Sequence, residues 1–83
     1  MKTLRTVINV MNKMEMGAYV DRTTLAGQFR RRNVHPASWQ AVVTKLVKLM
    51  YVDCRDSYVL LRVKIPSAEA VEREYERLKE TAA

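Results

Sequence analysis

The chain holds one cysteine, one histidine, two glycines and two prolines in 83 residues. Each scarcity excludes something. Cys54 alone forms no intramolecular disulfide, and with His35 as the only histidine there is no Cys/His set to hold a metal ion. Two glycines leave no loop of the kind that cradles nucleotide phosphates. No nucleophile–base pair and no paired carboxylates are legible, so the expectation is a protein that is not an enzyme and needs no cofactor and no metal. No apolar run approaches the ~20 residues needed to span a bilayer. After Lys2 and Arg5, any leader-like apolar stretch is broken by Asn9, Asn12 and Lys13, so no signal peptide is read and the expected compartment is the cytoplasm.

What is present is a globular composition, 48% hydrophobic and 29% charged, in a length that suits one domain with a small core. Formal net charge is +6 and unevenly placed. Residues 1–66 carry 12 basic and 4 acidic side chains, net +8, whereas residues 67–83 carry 3 basic and 5 acidic ones, net −2. A basic body suits a polyanionic partner, and the mildly acidic tail suits a different task.

Apolar periodicity then gives the elements. Thr3 is placed to cap a first helix with Leu4, Val7, Ile8, Met11 and Met14 on one face, ended by Gly17. Ala18-Tyr19-Val20 reads as a brief strand. Asp21 is a good N-cap for a second helix holding Leu25, Ala26 and Phe29 inward. Gly27 inside that helix suggests close approach of a neighbour. Arg30, Arg31 and Arg32 fan around its end, suited either to the negative end of the helix dipole or to clamping a phosphate. Asn33 and Val34 turn the chain.

Pro36 suits the first position of a third helix, with His35 as its cap, running to Leu49. Trp39, Val42, Val43, Leu46 and Leu49 form its apolar stripe, and Trp39 reads as core. Gln40, Thr44 and Lys48, flanked by Ser38, Ala41 and Lys45, form the polar stripe facing outward. Tyr51 to Cys54 and Tyr58 to Val63 read as two strands of a hairpin around Arg55-Asp56-Ser57, stopped by Pro66, with the Tyr19 segment available as a third strand. Ser67 caps a last helix whose apolar residues Ala68, Val71, Tyr75, Leu78 and Ala82 follow a 3, 4, 3, 4 spacing, the a/d pattern of a coiled coil, with Glu69–Arg73 as a supporting pair.

Leu25-Ala26 in the second helix, Val34-His35-Pro36-Ala37-Ser38 at the turn, and Val43, Leu46 and Tyr51-Val52 at the junction with the hairpin carry a resemblance to winged helix-turn-helix domains of prokaryotic or phage type. The likeness spans residues 3 to 65. Met50 stands where that family usually has glycine, so the third helix is expected to exit without the usual left-handed residue; the segment from Ala26 to Val34 is longer than the common turn, and the wing is very short. The resemblance implies a mostly α fold with a small antiparallel β-wing over residues 1–66, followed by a C-terminal amphipathic helix over residues 67–83. It also implies double-stranded DNA binding by a transcriptional regulator, with the third helix in the major groove. Ala37, Ser38, Gln40, Ala41 and Thr44 would then lie near base edges, with Gln40 best suited to adenine. Lys45, Lys48, His35 and Arg30 to Arg32 would contact phosphates, and Arg55 the flank reached by the wing. Val71, Tyr75 and Leu78 would join two copies as a homodimer. The alternative is a winged-helix adaptor, or a phage or plasmid factor, that binds a protein partner.

Overall fold

A computed structural model describes residues 2–82. The order is α1 (Lys2–Asn12), β1 (Tyr19–Asp21), α2 (Arg22–Arg31), α3 (Pro36–Lys48), β2 (Val52–Arg55), β3 (Tyr58–Leu61) and α4 (Ala68–Ala82). It is a mostly helical fold with one small antiparallel sheet, in the strand order β1-β3-β2. Tyr19 lies opposite Leu60 and Asp21 opposite Tyr58, while Val52 lies opposite Leu61 and Arg55 opposite Tyr58. The central strand is therefore the last in sequence, and the brief Tyr19 strand gives the hairpin the third partner that isolated hairpins lack.

A single core joins every layer. α1 contributes Leu4, Val7, Ile8, Val10 and Met11; α2 contributes Leu25 and Phe29; α3 contributes Trp39, Val43 and Leu46. Val52, Val59 and Leu61 cover them from the inner face of the sheet, and Ile65, Ala68 and Val71 close the end. Trp39 stacks on Phe29 with ring centroids 4.9 Å apart and planes 24° apart, so the lone tryptophan is core. Among the described residues no polar or charged side chain is buried.

Several local expectations shift. α1 begins at Lys2, so Thr3 lies inside it, and it stops at Asn12 rather than running on to Gly17. The reason is tertiary: the Asn12 amide donates to the Ile65 carbonyl at 2.9 Å and accepts from the Ile65 N–H at 2.9 Å, tying the helix end to the chain entering α4. Gly17, at φ 83°, instead sits in the turn that leads into β1, its N–H donating to the Leu61 carbonyl. β3 ends at Leu61, well before Pro66: the Arg62 N–H still donates to the Tyr51 carbonyl in register with the ladder, but the Tyr51 N–H is taken by the Leu46 carbonyl at the end of α3, so that pair is not completed. Nothing lies within 4 Å of a Cβ built on Gly27, so no neighbour approaches it closely.

The tail helix belongs to this core. Ser67 caps it as expected, its hydroxyl accepting from the Ala70 N–H. Val71 is fully buried against the body, and Ala68 nearly so. Glu69 turns to Arg5 of α1 at 2.7 Å rather than forming the expected pair with Arg73. The Ala82 side chain lies outside the described residues.

Candidate nucleic-acid interface

The α2–α3 corner is built by caps. Asp21 accepts from the Thr23 N–H at 2.7 Å and starts α2. α2 runs to Arg31, so what reads as an overlong turn in the sequence is helix, and only Arg32 to His35 connect it to α3. Asn33 takes φ 57° just past the helix, and the Val34 N–H reaches back to the Phe29 carbonyl, a Schellman closure. His35 caps α3 with Nδ1 accepting from the Ala37 N–H at 3.1 Å. That bond places the proton of a neutral imidazole on Nε2, where it is free to donate outward.

α3 leaves by the same motif. Met50 takes the left-handed conformation at φ 67°, and the Tyr51 N–H bonds the Leu46 carbonyl at 3.1 Å. The position expected to do without a left-handed residue has one, supplied by methionine instead of glycine.

The 3.6-residue repeat orders the outward face of α3. Ala37, Ala41, Thr44 and Lys48 occupy its middle, with Gln40 on one side and Ser38 and Lys45 on the other. All but Lys45 are exposed. Thr44 donates its hydroxyl proton to the Gln40 carbonyl, so that side chain is left as an acceptor. Lys45 departs from the expectation of a free phosphate ligand. Its Nζ lies 3.2 Å from Glu72 and 4.7 Å from the centre of the Tyr75 ring, because α4 docks on that side of α3.

The same docking corrects the expected dimer seam. Val71 is spent in the core, Tyr75 lies under Lys45, and of the three only Leu78 is exposed, at 39%. Tyr51 adds to the latch. Its hydroxyl lies 2.7 Å from both carboxylate oxygens of Glu74, and burial together with that bond pushes its pKa up to about 12.

Around this face, Arg30 and Arg31 stand exposed at the end of α2. Arg32 is partly committed: its Nη1 donates to the Gln28 carbonyl and side-chain oxygen at 2.9 and 3.0 Å. The hairpin turn is two residues, Asp56-Ser57, with Arg55 inside the strand and loosely paired to Asp53 at 3.5 Å. The Arg22 N–H donates to the Ser57 carbonyl at 2.8 Å, which holds the hairpin tip against the start of α2. Cys54 is half-buried, and burial pushes its thiol pKa up against the opposing pull of Arg22, so a ready thiolate is disfavoured there.

Two features escape the residue-by-residue sequence reading. Residues 2–14 and 22–52 contain no aspartate or glutamate, so α1, α2 and α3 carry no acid at all. That signal is legible in the sequence once helices, rather than halves of the chain, are compared. The second is a cleft of about 400 Å³ where the starts of α1 and α3 meet the end of α2, lined by Lys2, Thr3, Thr6, Arg32, His35 and Ser38. Lys2, Thr3 and Thr6 join the site only through the fold.

No family model, no curated protein and no solved structure matches the chain. Among the described residues there is no group of three His, Cys, Asp or Glu side chains placed to hold a metal ion, and no helix is long and apolar enough to cross a membrane.

Proposed function

We propose that this chain is a winged helix-turn-helix protein that binds double-stranded DNA, with α3 in the major groove and the β2–β3 hairpin as a short wing against the backbone. The observation that carries this reading is the outward face of α3. It is made of small, polar and basic side chains, and no acid lies on α3 itself or on α1 and α2 beside it. Two alanines, Ala37 and Ala41, permit close approach of the helix to base edges. Gln40 offers both an amide donor and an acceptor, as adenine requires. Lys48, Arg30 and Arg31 supply charge without intramolecular ion pairs among the described residues. None of the base-facing residues is an arginine suited to guanine, so affinity comes mainly from phosphates and specificity is modest. A role as a small transcriptional regulator follows from that binding.

A gel-shift series with duplexes of varied sequence at low salt tests it. The expected result is a salt-sensitive complex that both Arg31→Ala and Lys48→Ala weaken. No complex at low salt, or full binding by both variants, would sink the reading. A protein-interaction adaptor is the second reading. It is favoured by one feature, the solvent-facing tyrosine pair on the sheet, Tyr19 and Tyr58, packed edge-to-face at 6.2 Å. Stable co-purification of a protein that covers Gln40 would select it.

A further inference from the structure

We propose that the cleft between the starts of α1 and α3 is a discrete seat for one backbone phosphate, which Lys2 completes. The inference rests on the DNA-binding reading and adds α1 to the interface. Lys2 and Arg32 provide two positive charges, and no acidic residue lines the cleft. Arg32 uses only Nη1 internally, leaving Nη2 and Nε. His35 is held by its cap bond with Nε2–H as the outward donor. The Thr3 and Ser38 hydroxyls make no hydrogen bond to described residues, whereas Thr6 donates to the Lys2 carbonyl and so shapes the wall without serving the anion.

A second observation points the same way. Acidic side chains are favoured in the first turn of a helix, where they meet the positive end of its dipole. α4 follows that rule with Glu69, and α2 has the Asp21 carboxylate as its cap, but α1 and α3, the two helices that start at the cleft, have no acid in the first turn, and α1 places Lys2 there. A lysine at that end opposes the α1 dipole, so its presence costs the helix stability while keeping the end positive for an arriving anion. Ser38 lines the cleft and also flanks the exposed face of α3, so a duplex on that face would present its backbone here.

The test measures binding of a duplex of mixed sequence by fluorescence anisotropy across a salt series, for the wild type, Lys2→Ala and Lys48→Ala. A parallel arm titrates inorganic phosphate while following the amide resonances of Ala37 and Ser38. Lys2→Ala is expected to keep or raise the thermal midpoint, since alanine suits the helix and a misplaced charge is gone. It should flatten the log affinity against log salt slope by about 1, equivalent to about a five-fold weaker complex at 0.15 M salt. Weakening by Lys48→Ala with a wild-type slope for Lys2→Ala overturns the seat and leaves the DNA reading intact. A wild type that binds no duplex, but whose Ala37 and Ser38 resonances move with phosphate only when Lys2 is present, supports the seat with free phosphate as its source and sinks the DNA reading. No response in either arm overturns both.

Discussion

Replacing Gly27 by alanine isolates the backbone cost of a glycine from any packing role. Gly27 sits in the interior of α2, with five residues before it and four after it in the helix. Its φ is not in the left-handed region, and a Cβ built there meets nothing within 4 Å. Alanine therefore adds no clash, and it removes the glycine penalty of about 1 kcal/mol for a helix interior. For a domain of this size that corresponds to a rise of about 4–8 °C in the thermal midpoint. Circular dichroism melts and urea titrations of Gly27→Ala measure it directly, and the urea slope should not change, because the same surface is buried. An unchanged or lower midpoint would refute the reasoning, since it would require a neighbour closer to α2 than this structure has. Duplex binding should be unaltered. Stabilisation combined with lost binding would instead place Gly27 against the partner.

Three further outcomes are expected. Met50 holds φ 67° and is 61% exposed, so Met50→Gly should be at least as stable as the wild type, and Met50→Val should lose about 1 kcal/mol or more by urea titration, β-branched residues being the worst suited to that region. Tyr51→Phe should cost about 1 kcal/mol at neutral pH through the lost bond to Glu74. Because the folded pKa of Tyr51 lies at about 12, above its ordinary 10, the folded state holds the proton more tightly. Its contribution is complete below pH 10 and is lost as pH rises from 10 towards 12, and urea midpoints across that window should fall less in the phenylalanine variant. Sedimentation should show a monomer at micromolar concentration, unchanged by Leu78→Asp, since Leu78 is the one member of the expected seam left exposed. A wild-type dimer broken by that change would restore the coiled-coil role of α4.

The elements of the fold were largely legible because their signals are local. The apolar spacing of Leu4, Val7, Ile8 and Met11, the Asp21 and His35 caps, and Pro36 at the head of α3 act within one or two helical turns, and each behaves as its sequence context requires. The end of α1 was not legible, because Asn12 stops it by bonding Ile65, 53 residues away.

By itself the sequence determined the order of helices and strands, the core-facing stripes, the charge separation between body and tail, and the face of α3 that carries Gln40, Thr44 and Lys48. Only the tertiary structure decided what meets each outward side chain. Lys45 belongs to the polar stripe by spacing and to α4 by contact, through Glu72 and Tyr75. Val71 fits a dimer seam by heptad spacing but fills the core of its own chain. Lys2 is a terminal charge in the sequence and a wall of the cleft beside His35 and Arg32 in the fold. The physical reason is the same in each case. Periodicity fixes the direction in which a side chain leaves its own helix, whereas its partner is set by how distant elements dock, and docking is chosen by the burial of the whole core.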